Sequence, residues 1–80
     1  MRKLSDLKVG EICIIKSFLD DALATKLISM GVYPNSRAKI FHSNHKNYAL
    51  FIVIGTLKIA LLKEEASTIL VKKMVAWNGP

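Results

Sequence analysis

Tyr48-Ala49-Leu50-Phe51-Ile52-Val53-Ile54-Gly55-Thr56-Leu57-Lys58-Ile59-Ala60-Leu61 is the stretch that decides the fold class. Its first half, Tyr48 to Ile54, is a continuous apolar run rich in β-branched and aromatic residues, the composition of a well-buried strand. Gly55-Thr56 is a two-residue turn of the kind that joins hairpin strands. Leu57, Ile59 and Leu61 then alternate with Lys58 and Ala60, which predicts a return strand with one face buried. Gly55, Thr56 and Lys58 interrupt the run, so it falls short of a membrane-spanning helix.

Working outward, Arg37 to His42 also alternates, with Ala38, Ile40 and His42 on one face and Arg37, Lys39 and Phe41 on the other. The polar run Ser43-Asn44-His45-Lys46-Asn47 reads as the loop between that strand and the next. Upstream, Glu11 to Phe18 is a strand with apolar residues on both faces, as expected of a central or covered one. Leu4 and Leu7 pin a polar turn before it. Downstream, Lys63 to Ala66 reads as a single helical or 3₁₀ turn and Thr68 to Val71 as a closing strand.

One helix interrupts this pattern. Asp20-Asp21 offers carboxylates to the free N–H groups of a helix start. Leu23, Leu27 and Met30 recur at i, i+4 and i+7 and predict a core-facing stripe, while Gly31 stands where a helix ends in a left-handed residue. Val32 to Ser36 follows as a turn, with Pro34 fixing φ and Asn35 tolerating positive φ. The expected fold is mainly β: a small SH3-like β-barrel of about five strands, with one α-helix inserted after the first strand.

A chain of 80 residues, 51% of them apolar, has room for one domain and little room for an enclosed catalytic cavity. Its formal charge of +6 suits an acidic partner, a polyanion or an anionic surface. The single cysteine, Cys13, permits no internal disulfide and lies in an apolar run, so a buried thiol is expected. No secretory signal follows Met1-Arg2-Lys3, which makes a cytoplasmic location the expectation. The paired carboxylates Asp20-Asp21 and Glu64-Glu65 each sit at an expected helix start, and no Gly-rich phosphate loop is present. Neither an enzymatic activity nor a cofactor is expected.

Taken in order, Leu4-x-Asp6-Leu7-x-x-Gly10, Leu27-x-x-Met30-Gly31-Val32-x-Pro34, the Gly55 turn, Ile59-Ala60-Leu61 and Glu64-Glu65-Ala66-x-x-Ile69-x-Val71 resemble the ferrous iron transport protein A (FeoA) family. The resemblance runs from Leu4 to Val71 and places a FeoA-like domain at 1–73, with 74–80, including Trp77, as a tail. Asn35 departs from the family's usual Gly after the turn proline, and Lys63 from its usual Arg. The resemblance implies an SH3-like barrel in the cytosol without catalytic activity of its own. Its implied partner is FeoB, a membrane ferrous-iron transporter with a cytosolic GTP-hydrolysing domain. The same fold closes some iron-dependent repressors, but the start at Met1 without a helix-turn-helix segment favours the free-standing form.

The candidate partner surface lies at the helix end. Ile28, Val32 and Tyr33 follow the core stripe without continuing its spacing, and Lys26 and Arg37 bracket them. For metal, His42 and His45 could begin a Zn²⁺ or Fe²⁺ site, though two imidazoles without a carboxylate hold an ion weakly. The competing reading is a basic barrel that binds nucleic acid through Arg37, Lys39 and Lys46, with Phe41 or Tyr48 as a stacking platform.

Overall fold

A computed structural model describes residues 1–44, 46 and 48–74. Its strands are β1 (Arg2–Lys3), β2 (Ile12–Phe18), β3 (Arg37–Asn44), β4 (Ala49–Ile54), β5 (Leu57–Leu62) and β6 (Ile69–Lys73). Helix α1 (Asp21–Ser29) connects β2 to β3, and one helical turn, α2 (Lys63–Ala66), connects β5 to β6. A 3₁₀ turn over Leu4–Asp6 follows β1 and anchors Leu4 in the core. The strands form a single antiparallel sheet in the order β1-β6-β2-β3-β4-β5.

The inward faces follow from the period-2 pattern. Cys13, Ile15, Ile40, Ile52, Ile59 and Val71 all join one buried cluster, to which α1 adds Leu23 and Leu27. β2 lies between β6 and β3, as its two-faced apolar pattern predicted. The helix starts where the carboxylates stand: Asp20 Oδ1 accepts the Leu23 N–H at 2.9 Å. At α2, Glu65 Oε1 accepts the Leu62 N–H at 2.8 Å.

The architecture differs from the sequence expectation in identifiable ways. The described residues form six strands, because Arg2 and Lys3 pair with Val71 and Leu70. A two-residue strand carries no periodicity to read. Among the described residues the sheet does not close, and β1 and β5 are its two edges. Burial of apolar residues in one core brings the strands around it without edge pairing. His42 is exposed, not inward, because the register shifts between Ile40 and His42. A bulge there adds one residue and reverses the alternation beyond it. The strand also runs on to Asn44, which shortens the loop after it.

Candidate functional site

Around the end of α1 the chain builds a cap and a turn that fix which residues reach the surface. Gly31 has φ +92°, and its N–H donates to the Ile28 carbonyl at 3.0 Å, while the Val32 N–H donates to Leu27 at 2.9 Å. These are the paired bonds of a Schellman motif, in which the residue after the glycine packs on the last turn of the helix. Val32 is accordingly fully buried and leaves the predicted surface.

Met30 moves the other way. Expected in the core stripe, it is the C-cap residue and is 40% exposed. The helix is already turning into its cap there, so the i, i+4, i+7 rule no longer sets its direction. Ile28 and Tyr33 are at the surface as predicted, at 42% and 54% exposed. Met30 is thus the residue that sequence reasoning missed. Its place one before Gly31 was the signal for a cap position.

Tyr33 is held by a well-bonded turn. Its N–H donates to Ser36 Oγ at 3.1 Å, and its carbonyl accepts the Ser36 N–H at 3.0 Å. Asn35 takes φ +75°, and its N–H donates to Ile15 at 2.6 Å, which ties the turn to β2. The Ile15 N–H returns the contact to Ser36 at 2.9 Å, and Lys16 Nζ reaches Asn35 Oδ1 at 3.4 Å. The tyrosine therefore projects from a braced backbone.

The two predicted flanking cations are exposed. Lys26 lines a shallow groove between α1 and α2 together with Asp20, Glu64 and Glu65, so the field around it is mixed. Arg37 begins β3 opposite Ile14, one residue after the turn. The helix-end surface is thus apolar, with Ile28, Met30 and Tyr33 exposed within six residues of chain.

No group of three or more His, Cys, Asp or Glu side chains able to hold a metal occurs among the described residues. His42 packs its ring on Phe51, 5.2 Å between centroids, and His45 lies outside the described residues, as does Trp77. Burial pushes the Cys13 thiol up to about 11, which removes its nucleophilic form at neutral pH.

For the nucleic-acid reading, Arg37, Lys39 and Phe41 are all exposed, and Phe41 is 41% exposed. The Phe41 ring is nevertheless engaged: Lys58 Nζ stands 6.0 Å from its centroid and Phe51 tilts against it at 6.1 Å. Tyr48 is exposed at φ +50°, and Lys46 is exposed in the loop before it.

With this geometry in place, comparison with known proteins is decisive for the family. The FeoA domain model matches residues 2–73. The chain belongs to the FeoA family. A crystal structure of an iron uptake regulatory protein (FeoA) is similar at 26% identity and TM-score 0.77, covering 91% of this chain and 96% of that one. A Stenotrophomonas maltophilia FeoA, crystallised with zinc and described as a prokaryotic SH3 domain protein, has 22% identity and TM-score 0.78. That match covers 90% of this chain and 91% of the other. A manganese-dependent transcriptional repressor shares 17% identity at TM-score 0.81, covering 91% of this chain and 41% of its own, which is a likeness of fold. No curated protein sequence matches the chain. The FeoA domain here is SH3-like, and no helix among the described residues is long and apolar enough to cross a membrane.

Proposed function

We propose that this FeoA-family chain is a small cytoplasmic accessory protein of ferrous iron uptake that docks on the cytosolic side of a FeoB transporter. There it modulates the GTPase and transport cycle of its partner. The observation that carries this reading is the exposed set Ile28, Met30 and Tyr33 on a cap and turn bonded into the sheet. A partly exposed tyrosine on a rigid turn, beside aliphatic neighbours, has the character of an interface anchor.

The family assignment supports the setting, and the Stenotrophomonas maltophilia relative has been put forward as a ferrous iron transport activating factor. Chemistry belongs to the partner in this reading. The chain itself is expected to bind no nucleotide, to hydrolyse neither GTP nor ATP, and to need no cofactor. A pull-down with the isolated cytosolic domain of FeoB, with and without nucleotide, tests the proposal directly. Retention that is lost with Tyr33→Ala supports it. Absence of retention in every nucleotide state sinks it.

A further inference from the structure

Among the described residues, β5 is an edge strand with an open side. Lys63 N–H donates to the Tyr48 carbonyl at 2.5 Å, and the ladder from there pairs Leu50 with Leu61, Ile52 with Ile59 and Ile54 with Leu57. In an antiparallel ladder the hydrogen-bonded pairs alternate, so these share the bonded parity and Lys58, Ala60 and Leu62 point their backbone groups away from β4. The Leu62 N–H is taken by Glu65 Oε1 at 2.8 Å. Lys58 and Ala60 are exposed, and among the described residues nothing bonds their outward N–H and C=O groups.

The two sheet edges are treated differently. β1 at one edge is only two residues long and carries Arg2 and Lys3, a short charged edge of the kind that resists further pairing. β5 runs for six residues without proline, its register with β4 is unbroken, and Lys58 is its only charge. Such an edge is a template for an added strand.

The charge around Lys58 selects the occupant, whereas the Leu62 end of the strand lines the groove with Asp20, Glu64 and Glu65. Between Asp21 and Glu64 the sequence contains no carboxylate, while Lys26, Arg37, Lys39, Lys46, Lys58 and Lys63 are all basic. Lys39 pairs with Val53 and Val53 with Lys58, so two cations lie in one row across β3, β4 and β5 on the outer face. The one ion pair among the described residues, Lys73 with Glu11, uses neither. A net charge of +6 opposes pairing with a second copy, and the engaged Phe41 ring offers a poor platform for a nucleobase.

We propose that the free edge of β5 accepts an extended acidic segment of a partner protein as a seventh strand. Backbone groups of Lys58 and Ala60 supply the hydrogen bonds. Residues of the segment opposite these two share the outer face, where an acidic side chain lies beside Lys58, with Lys39 two strands beyond β5 adding to the positive field, and where Ala60 leaves room. The intervening residues extend the apolar inner row beside Ile59. The preferred segment therefore alternates acidic and apolar residues. This inference stands without the FeoB assignment.

The test is an ¹⁵N NMR titration of the whole chain with a capped seven-residue peptide of alternating glutamate and valine. Saturable shifts and slowed amide exchange at Lys58 and Ala60 are expected. N-methylating the peptide amides that face β5 is expected to weaken binding at least about tenfold, as is Lys58→Glu. Ala60→Pro removes only an outward N–H and is expected to block the edge while preserving the β4–β5 ladder. The peptide variant keeps the test valid if that substitution disturbs folding. Equal affinity for the N-methylated peptide, or for a lysine-valine peptide, would overturn the proposal, and so would the absence of binding. A concentration-dependent dimer with Lys58 and Ala60 amides already protected would assign the edge to a second copy. Tighter binding of a single-stranded oligonucleotide that shifts Lys39 and Phe41 and leaves those amides unprotected would assign the face to nucleic acid. Either result also overturns it.

Discussion

Val32 donates its backbone N–H to the Leu27 carbonyl at 2.9 Å, and the side chains of both residues are buried in the same cluster. That one relationship divides the chain after the helix into a core half and a surface half. Val32 closes the helix against the core; Tyr33, one residue on, is already outside it. The candidate partner surface therefore consists of Ile28, Met30 and Tyr33.

Gly31 holds the cap at φ +92°, and a Cβ built there meets nothing within 4 Å. The cost of replacing it is thus backbone strain, not collision. Gly31→Val is expected to lower stability by about 1–3 kcal/mol, and Gly31→Asn by less, because Asn tolerates this region better. Urea unfolding of the two variants checks the order. Equal stability of Gly31→Val and wild type would mean that the helix does not end there.

Leu27 and Tyr33 should separate folding from binding. Leu27→Ala opens a cavity under the cap and is expected to cost about 2–5 kcal/mol of stability, a large share for a domain this small. Tyr33→Ala is expected to leave circular dichroism and melting nearly unchanged and to weaken partner binding by about 1–3 kcal/mol. Unfolding of Tyr33→Ala would return the tyrosine to the core. Wild-type binding by the folded variant would move the surface elsewhere.

Glu11 accepts the Lys8 N–H at 2.6 Å and is ion-paired with Lys73, whose register partner on β2 is Cys13. The Lys73 contact, followed by the Lys8 N–H, holds the Glu11 carboxyl below its ordinary value of 4.5. A carboxyl lowered in the folded state binds fewer protons than in the unfolded state. Its contribution is present above that ordinary value and is lost as pH falls through the folded one. The melting-temperature gap between wild type and Glu11→Gln is therefore expected at neutral pH and should narrow as pH falls below 4.5. A gap of constant size from neutral to acid pH would contradict it.

Cys13 is inaccessible in the core, and its thiol is raised to about 11 by burial. At pH 8 only about one thiol in a thousand is ionised. An aromatic disulfide reagent is expected to react slowly with the folded chain and fast in denaturant, with a rate that follows unfolding. Rapid stoichiometric labelling of the folded chain would show the strand around Cys13 to open on its own.

Elements whose signal is local could be read from the chain alone. The hairpin of β4 and β5 was legible because period-2 alternation and a two-residue Gly turn are properties of adjacent residues. The helix start at Asp20, its end at Gly31 and the positive φ of Asn35 were legible for the same reason. Tertiary structure decided what depends on residues far apart in the chain. Arg2 and Lys3 become a strand only because β6 offers them partners some seventy residues away. Phe41 and His42 both face out because a bulge against β4 breaks an alternation that β3 alone would have kept. Val32 is inside and Met30 outside because the cap, once docked on the core, sets their directions. The open edge of β5 is likewise a property of the whole sheet: period and polarity specify which face a side chain takes, but only the strand order shows whether a backbone has a neighbour.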